Sequence, residues 1–428
     1  MKILVIGKGG REYIIGSILR ESPRVTTIFS APGNAGTSEI GVNVPIDMLD
    51  NRRLVEFALR EKIGLTVVGP DRSLASGVVN DFQTAGLRIF GPTKAAARFE
   101  WSKVFGKEFM LRHGIPTAKA EWTGDYKTAL DMAERKIREK GAVVIKADGL
   151  ADGKGVKVTT CVREARKFLK EIMVEKTLGS AADIVLIEER LVGEELSIHA
   201  PIDGKSYLLF PPARDYKKSH NGNKGENCGG MGAVCTETLA SDDLMKRIRT
   251  EILKRFMEGL TQDGIDFQGM LYVGVMITED GPMVLEFNCR FGDPEAQVLL
   301  PKLEKPYLVD LLLATTERRL SEITLQFGKG ASVCVAAVSG NYPGKYEIGK
   351  PIILKNIPKN VRVIHAGTKY VPEGDTFSNR TLITSGGRVI YIEAEEKNVA
   401  EASKIVYKAM KGVMFSGIRY REDIGDEL

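Results

Sequence analysis

Val143-Val144-Ile145-Lys146-Ala147-Asp148-Gly149-Leu150-Ala151-Asp152-Gly153-Lys154-Gly155-Val156 reads as a strand, a glycine-rich loop and a second strand. It is not a Walker loop, which needs Gly-Lys-Ser/Thr opening a helix. A loop between strands that carries Gly149, Gly153 and Gly155 can fold over a triphosphate and exclude water. Lys146 sits in an otherwise apolar strand, where a charge needs a partner. It is expected to point at the phosphates, with Lys154 joining it. The competing reading of these residues alone is a plain hairpin with solvated lysines.

Further along, Leu285-Glu286-Phe287-Asn288-Cys289-Arg290-Phe291-Gly292-Asp293-Pro294-Glu295 places carboxylates, a carboxamide and a guanidinium close together. The run Gly281 to Phe287 reads as a turn followed by a strand. On a strand Glu286 and Asn288 share a face, because side chains alternate with period two. A hard cation takes oxygen ligands of this kind and shares them with nucleotide phosphates. Arg290 can reach the same side and neutralise a phosphoryl group in transfer. A surface strand ending in a solvated turn is the alternative.

Residues 1 to about 100 alternate short strands (Lys2–Ile6, Thr26–Phe29, Thr66–Val68, Leu87–Phe90) with helices (Arg11–Arg20, Arg52–Lys62, Val78–Ala85). That alternation implies a doubly wound parallel sheet, whose ligands bind at the carboxyl ends of the strands. The first strand ends in Gly7-Lys8-Gly9-Gly10-Arg11-Glu12, which fails the dinucleotide fingerprint because Glu12 stands where a small residue is needed. The second runs into Ala31-Pro32-Gly33-Asn34-Ala35-Gly36-Thr37, with no acidic residue to hold a ribose. Both loops offer N–H groups to a phosphate, or use their glycines only for tight turns.

Two weaker segments follow. Ile187 to Ser197, with Glu188, Glu189, Leu191 and Glu195, joins two strands as a hinge that can meet an adenine edge and a ribose, or as a solvated acidic turn. Arg214-Asp215-Tyr216-Lys217 and Gly225 to Ala233, with Gly229, Gly230 and Met231, flank a polar loop. Asp215 can hold an ammonium there.

A chain of 428 residues is too long for one core. A helical stretch at 94–113 leads to a small α/β unit at about 120–190 and a larger mixed unit to about 325. The last hundred residues look separate, with strands at Ser332–Val338, Val361–Ala366 and Arg388–Ala394 and a helix over Val399–Lys411. A net charge of +5 suits anionic small substrates and is too scattered to argue for nucleic acid. Five dispersed cysteines without a CxxC indicate neither a disulfide framework nor a zinc site and point to a reducing cytoplasm. No apolar run approaches the roughly 20 residues of a membrane helix.

In this order the motifs resemble the ATP-grasp superfamily, and within it the phosphoribosylamine–glycine ligases. The carriers are Gly7–Glu12, Pro32–Thr37, Val68–Pro70, Phe90–Thr93, Ser102–Phe105, Val143–Val156, Glu188–Glu195, Arg214–Lys217, Gly229–Ala233 and Glu286–Glu295, with His365–Thr368, Ser385–Val389 and Arg419–Gly425 near the end. The resemblance implies a multidomain α/β and α+β protein: a Rossmann-like doubly wound sheet over 1–103, an ATP-grasp core over 104–326 with a lid at about 120–190, and a small α+β domain over 327–428. ATP would be held by Lys103, Lys146, Gly149, Gly153, Lys154, Gly155, Glu188, Glu189, Leu191 and Glu195, and Mg2+ or Mn2+ by Glu286 and Asn288. Gly9, Gly10, Arg11, Glu12, Asn34, Ala35, Gly36 and Pro70 would take 5-phosphoribosylamine, with Arg11 the nearest cation for its phosphate. Glycine would sit near Asp215, Lys217, Gly229, Gly230, Met231 and Arg290, and the catalytic set would be Arg290, Lys146, Asp215 and Asp293.

The implied reaction activates glycine's carboxylate as an acyl phosphate and passes it to the amine of phosphoribosylamine, in purine biosynthesis. The implied protein is a cytoplasmic monomer or weak homodimer without nucleic-acid or membrane partners. Tyr13, Trp101, Asp152, Glu226 and Cys228 depart from the family pattern and leave open a different acceptor amine. Another ATP-grasp ligase and a degenerate ATP-binding regulator are the rivals. A biotin carboxylase is disfavoured, because Gly274 stands where a second metal carboxylate is expected.

Overall fold

The computed structural model describes residues 1–151, 153–373 and 376–428, so Asp152 lies outside the described residues. Five parallel strands form the first sheet, in the order Val42–Asn43, Thr27–Pro32, Lys2–Gly7, Leu65–Val68, Ile89–Phe90. Ile3 to Ile6 are fully buried, as a central parallel strand covered on both faces requires. The helices Gly10–Arg20, Asn51–Glu61 and Val78–Thr84 lie close to their expected places. The two-residue edge strand Val42–Asn43 is too short to show a pattern and was not expected. Thr27–Pro32 and Leu65–Val68, the second and fourth strands in sequence, flank Lys2–Gly7 on opposite sides. The crevice at its carboxyl end is therefore a switch point.

The stretch 94–113 is two helices, Arg98–Trp101 and Lys103–Arg112. Ser102 breaks them and caps the second by accepting the Phe105 N–H (3.2 Å). The small unit is an antiparallel sheet in the order Ala120–Thr123, Val185–Glu188, Val143–Ala147, Val156–Thr159. Ala129, Ala133, Ala165 and Leu169, on the helices Tyr126–Lys140 and Val162–Leu169, pack against its Val143, Ile145, Val185 and Ile187.

A long antiparallel sheet runs through the rest: Gly281–Asn288, Gly269–Thr278, Glu194–Ile202, Ala213–Asp215, Gly232–Thr236, Ala331–Ser339, Arg388–Glu396, Arg362–His365. The last hundred residues are thus not separate in backbone terms: Gly232–Thr236 pairs with Val335–Ala331. Ala331–Ser339 is buried along its whole length. A strand so placed has its N–H and C=O groups satisfied only by neighbours on both edges, and one of those neighbours belongs to the preceding unit. The helix Val399–Met410 covers it.

Candidate active site

One cleft of about 1560 Å3 lies where the carboxyl ends of the parallel sheet, the glycine loop of the small unit and the long sheet face one another. It gathers most of the expected residues. Lys103, Lys146, Gly153, Lys154, Gly155, Glu188, Glu189, Leu191 and Glu195 line one part, and Glu286, Asn288 and Arg290 its floor. Asp215, Lys217, Gly229 and Asp293 line another part, and Gly9, Gly10, Arg11, Asn34 and Ala35 the far end. Glu12, Gly36, Pro70, Gly149, Gly230 and Met231 are not among the lining residues.

The strand Gly281–Asn288 brings Glu286 and Asn288 to the same side, as period two demands. Burial pushes the Glu286 carboxyl up, but Lys217, Lys103, Lys146 and Arg290 outweigh it and hold the group below its ordinary value. It is therefore a carboxylate amid cations. The Asn288 Oδ1 accepts from Arg290 Nη2 (3.2 Å). Gly274 lies directly opposite Glu286 on the neighbouring strand and offers no side-chain oxygen there. Two oxygen donors beside an array of lysines fit a divalent cation that completes its shell with phosphate and water.

Lys146 is not unpaired. Its ammonium lies 2.6 Å from Glu188 Oε2 and donates to Leu285 O (3.0 Å). Glu188, expected beside adenosine, is buried between Lys146 and Lys107, the latter 2.8 Å from its Oε1. Asp148 joins the loop to the next cation: it accepts from Ser102 Oγ (3.1 Å) and from the Val104 N–H (2.8 Å), while its backbone oxygen accepts the Lys103 N–H (3.1 Å). Gly149 donates to Ala181 O (2.8 Å), and a Cβ there would fall 2.8 Å from Ala181 Cα, so this glycine serves close packing behind the loop.

Arg290 Nε lies 3.0 Å from Glu100 Oε1, and the other Glu100 oxygen accepts the Cys289 N–H (2.8 Å). Behind Arg290, the buried Glu295 accepts from Ser197 Oγ (2.7 Å), which also meets the Tyr272 hydroxyl (3.1 Å). Burial and the Arg290 charge depress His199 to about 3. Its neutral Nε2 accepts the Gly292 N–H (3.0 Å) and fixes the turn after Arg290.

Asp215 has a buried Oδ1 without a hydrogen-bond partner among the described residues. Burial and the nearby Glu295 raise its pKa well above the ordinary value. Lys217 lies 2.8 Å from Glu195 Oε2. Gly230, at φ +100°, is what lets Asp215 and Pro294 approach: a Cβ would lie 2.5 Å from Asp215 Oδ1 and 2.4 Å from Pro294 Cδ. Met231 is core. Asp293 is fully engaged, accepting from Gln297 Nε2 (2.7 Å), Tyr391 (3.2 Å) and Arg388 Nη2 (2.9 Å). It orients Arg388, which also donates to the Asp293 and Gly229 carbonyls and lines the cleft.

At the far end, Glu12 explains the failed fingerprint. Its carboxylate accepts the Gly9 N–H (2.6 Å) and pairs with Arg11 Nε (2.7 Å). A Cβ on Gly7 would lie 2.5 Å from Glu12 Cγ, and one on Gly69 2.1 Å from Glu12 Oε1. Those glycines make room for a buried carboxylate that shapes the loop from behind. Arg11 is itself buried and donates to Phe291 O (3.1 Å). The exposed Lys8 is thus a freer cation at this loop. The second loop is held by the C-terminal part: Ala35 N–H donates to Thr368 O (3.2 Å) and Asn34 Nδ2 to His365 O (3.0 Å). Gly36 packs under the His365 and Tyr13 rings.

Glu100, Lys107, Asp148, Tyr272 and Arg388 are components that sequence reasoning did not assign. Lys107 is one helical turn beyond Lys103, Asp148 lies in the glycine-loop stretch itself, and Arg388 ends a glycine turn.

Three family models match in chain order: phosphoribosylglycinamide synthetase N domain over 1–100, ATP-grasp (A) domain over 101–296 and C domain over 332–427. The phosphoribosylamine–glycine ligase of Caldanaerobacter subterraneus subsp. tengcongensis is 41% identical over 424 residues, covering 99% of either chain. The crystal structure of phosphoribosylamine–glycine ligase from Thermotoga maritima superposes with a TM-score of 0.84 at 32% identity, over 99% of this chain and 100% of that one. The biotin carboxylase domain of Hydrogenobacter thermophilus 2-oxoglutarate carboxylase, in complex with MgADP, reaches 0.73 at 15% identity over 98% and 91% of the two chains, a likeness of fold alone.

Proposed function

We propose, on the premise that the chain belongs to the phosphoribosylglycinamide synthetase family, that it joins glycine to 5-phosphoribosylamine at the expense of ATP, in purine biosynthesis. The observation that carries the reading is the meeting, in one cleft, of an anionic Glu286 beside Asn288, three lysines and Arg290 with the unpartnered Asp215 oxygen.

Glycine's carboxylate is a poor electrophile. Lys146 and Lys103 receive the triphosphate, the 149–155 loop covers it, and the Glu189–Glu195 hinge takes the nucleoside. Glu286 and Asn288 hold Mg2+ or Mn2+, which when bound neutralises phosphate charge. Asp215 takes glycine's ammonium and Arg290 faces its carboxylate. A carboxylate oxygen attacks the γ-phosphorus and ADP leaves, so the residues' task is positioning and charge neutralisation. The neutral amine of phosphoribosylamine, held at the Gly9–Gly10 and Asn34–Ala35 loops, then attacks the acyl carbon. The C–O bond to phosphate breaks, and the nitrogen gives one proton to water. Covering the acyl phosphate protects it from hydrolysis.

The same reading gives domains at 1–103, 104–326 and 327–428. Within the second, the unit at about 120–190 is the lid. It places a monomer or weak homodimer in the cytoplasm, where five thiols stay reduced. Among the described residues no helix is long and apolar enough to cross a membrane.

The test is ADP formation with MgATP. Wild-type protein should form ADP at a sustained rate only when glycine and phosphoribosylamine are both present. Glu286→Gln should cut that rate at least about 100-fold, the scale of losing one charged group at a reacting phosphoryl, with an unchanged melting temperature. Turnover with another amine in place of phosphoribosylamine would move the protein to a different ligase activity.

A further inference from the structure

Lys107 is buried, and it is not among the residues lining the cleft. Its ammonium donates to Thr117 Oγ1 (2.6 Å) and Ala118 O (3.1 Å) and lies 2.8 Å from Glu188 Oε1. Glu188 Oε2 lies 2.6 Å from Lys146, whose remaining ammonium hydrogen is free for the cleft once Leu285 O has taken one. One carboxylate is thus shared by two ammoniums in a place almost without solvent.

The charge count gives this arrangement a purpose. A lone buried Lys146–Glu188 pair would be neutral, and its attraction for a triphosphate would be that of a dipole. With Lys107 behind it, the unit carries one net positive charge, and only Lys146 touches the cleft. Lys146 and Lys107 together hold Glu188 ionised against its burial. We propose that Lys107 is a positioning residue for nucleotide binding, which neutralises Glu188 from behind so that the charge of Lys146 is available to the phosphates. Glu188 then acts as a clamp that fixes Lys146, rather than as a ligand of adenosine. The inference rests on the reading above in which Lys146 meets the triphosphate.

The experiment is calorimetric binding of MgATP to the full chain, with no glycine or phosphoribosylamine, together with melting of the ligand-free variants. Lys107→Met should weaken MgATP about tenfold, as expected for losing one partly screened charge one carboxylate behind Lys146. Adding Glu188→Gln should return the affinity to within about threefold of wild type, because Lys146 then stands alone with its full charge. A merely structural lysine predicts no such rescue, since the double variant has lost more contacts than the single one. A double variant as weak as Lys107→Met, or a Lys107→Met that binds like wild type, overturns the proposal. If Lys107→Met does not fold, Glu188→Gln alone decides. Binding at least as tight as wild type supports the clamp, and a loss of tenfold or more assigns the carboxylate to the nucleoside. Lys146→Met separates the premise from the inference: normal MgATP binding there removes the phosphate role of Lys146 itself.

Discussion

Glu393 has no exposed surface and sits between the Ser332 hydroxyl (2.7 Å) and Arg362 Nη1 (3.1 Å) in the strand Arg388–Glu396, away from the cleft. Burial raises its pKa from 4.5 to about 7, against the pull of Arg362. A carboxyl raised in the folded state gives stability that is complete below its unfolded value and is lost as pH rises through its folded one. The loss for this residue runs from about pH 4.5 to about pH 7 and is flat above. Glu393→Gln keeps the shape and removes the titration, while Arg362 retains Glu395 (2.8 Å). Urea unfolding should show the variant gaining on wild type between pH 5 and 7, to a plateau of about 3 kcal/mol, the worth of such a shift. A difference independent of pH over that range would mean that Glu393 does not titrate there. Lys146 teaches a related lesson. Its need for a partner was legible from an apolar strand, but the identity of the partner was not, because Glu188 comes from a strand 42 positions later.

At the scale of elements, local pattern carried four strands and three helices of the first hundred residues, and the two strands around the glycine loop, but not the short Thr37–Ile40, Val42–Asn43 and Asp71–Ser76. What it did not carry was pairing across distance. The long sheet joins Gly232–Thr236 to Ala331–Ser339, and nothing near either strand announces the other. The first glycine loop was half legible. Its departure from the dinucleotide pattern at Glu12 was visible in the sequence. Its cause was not, since Gly69, which vacates the space for that carboxylate, ends a different strand. Gly69→Ala would put a methyl 2.1 Å from Glu12 Oε1. Glu12 must then shift and release the Gly9 N–H. The variant should lose about 1–3 kcal/mol, the usual cost of overpacking, and its KM for phosphoribosylamine should rise while MgATP binding stays within about twofold. Stability and kinetics together check this. An unchanged KM at reduced stability would leave Glu12 a packing residue without influence on the loop's ligand.

Across the whole molecule, two regions distant in sequence join a local partner at Asp293. A Cβ on Gly9 would lie 3.7 Å from its Oδ2, Gln297 follows it by one helical turn, and Arg388 from the C-terminal part pairs with it at 2.9 Å. Arg388 also donates to Gly229 O, so one guanidinium ties the C-terminal part to the loop beside Asp215 and to the turn after Arg290. The C-terminal part is thus built into the part of the cleft that holds Gly9, Asn34 and Asp293. Arg388→Met keeps an apolar stem and removes the fork. Asp293 keeps Gln297 and Tyr391 as donors, so the fold should survive. Calorimetric MgATP binding should stay within about twofold of wild type. The kcat/KM for phosphoribosylamine should fall by about tenfold to 100-fold, the range for a charge-assisted, buried contact. The kcat/KM for glycine should fall less, because Asp215 and Arg290 remain. Steady-state kinetics with each substrate varied in turn separates these effects. If the loss fell on MgATP binding and spared the amine, the C-terminal part would belong to the nucleotide end, and the order of sites along the cleft would have to be reversed.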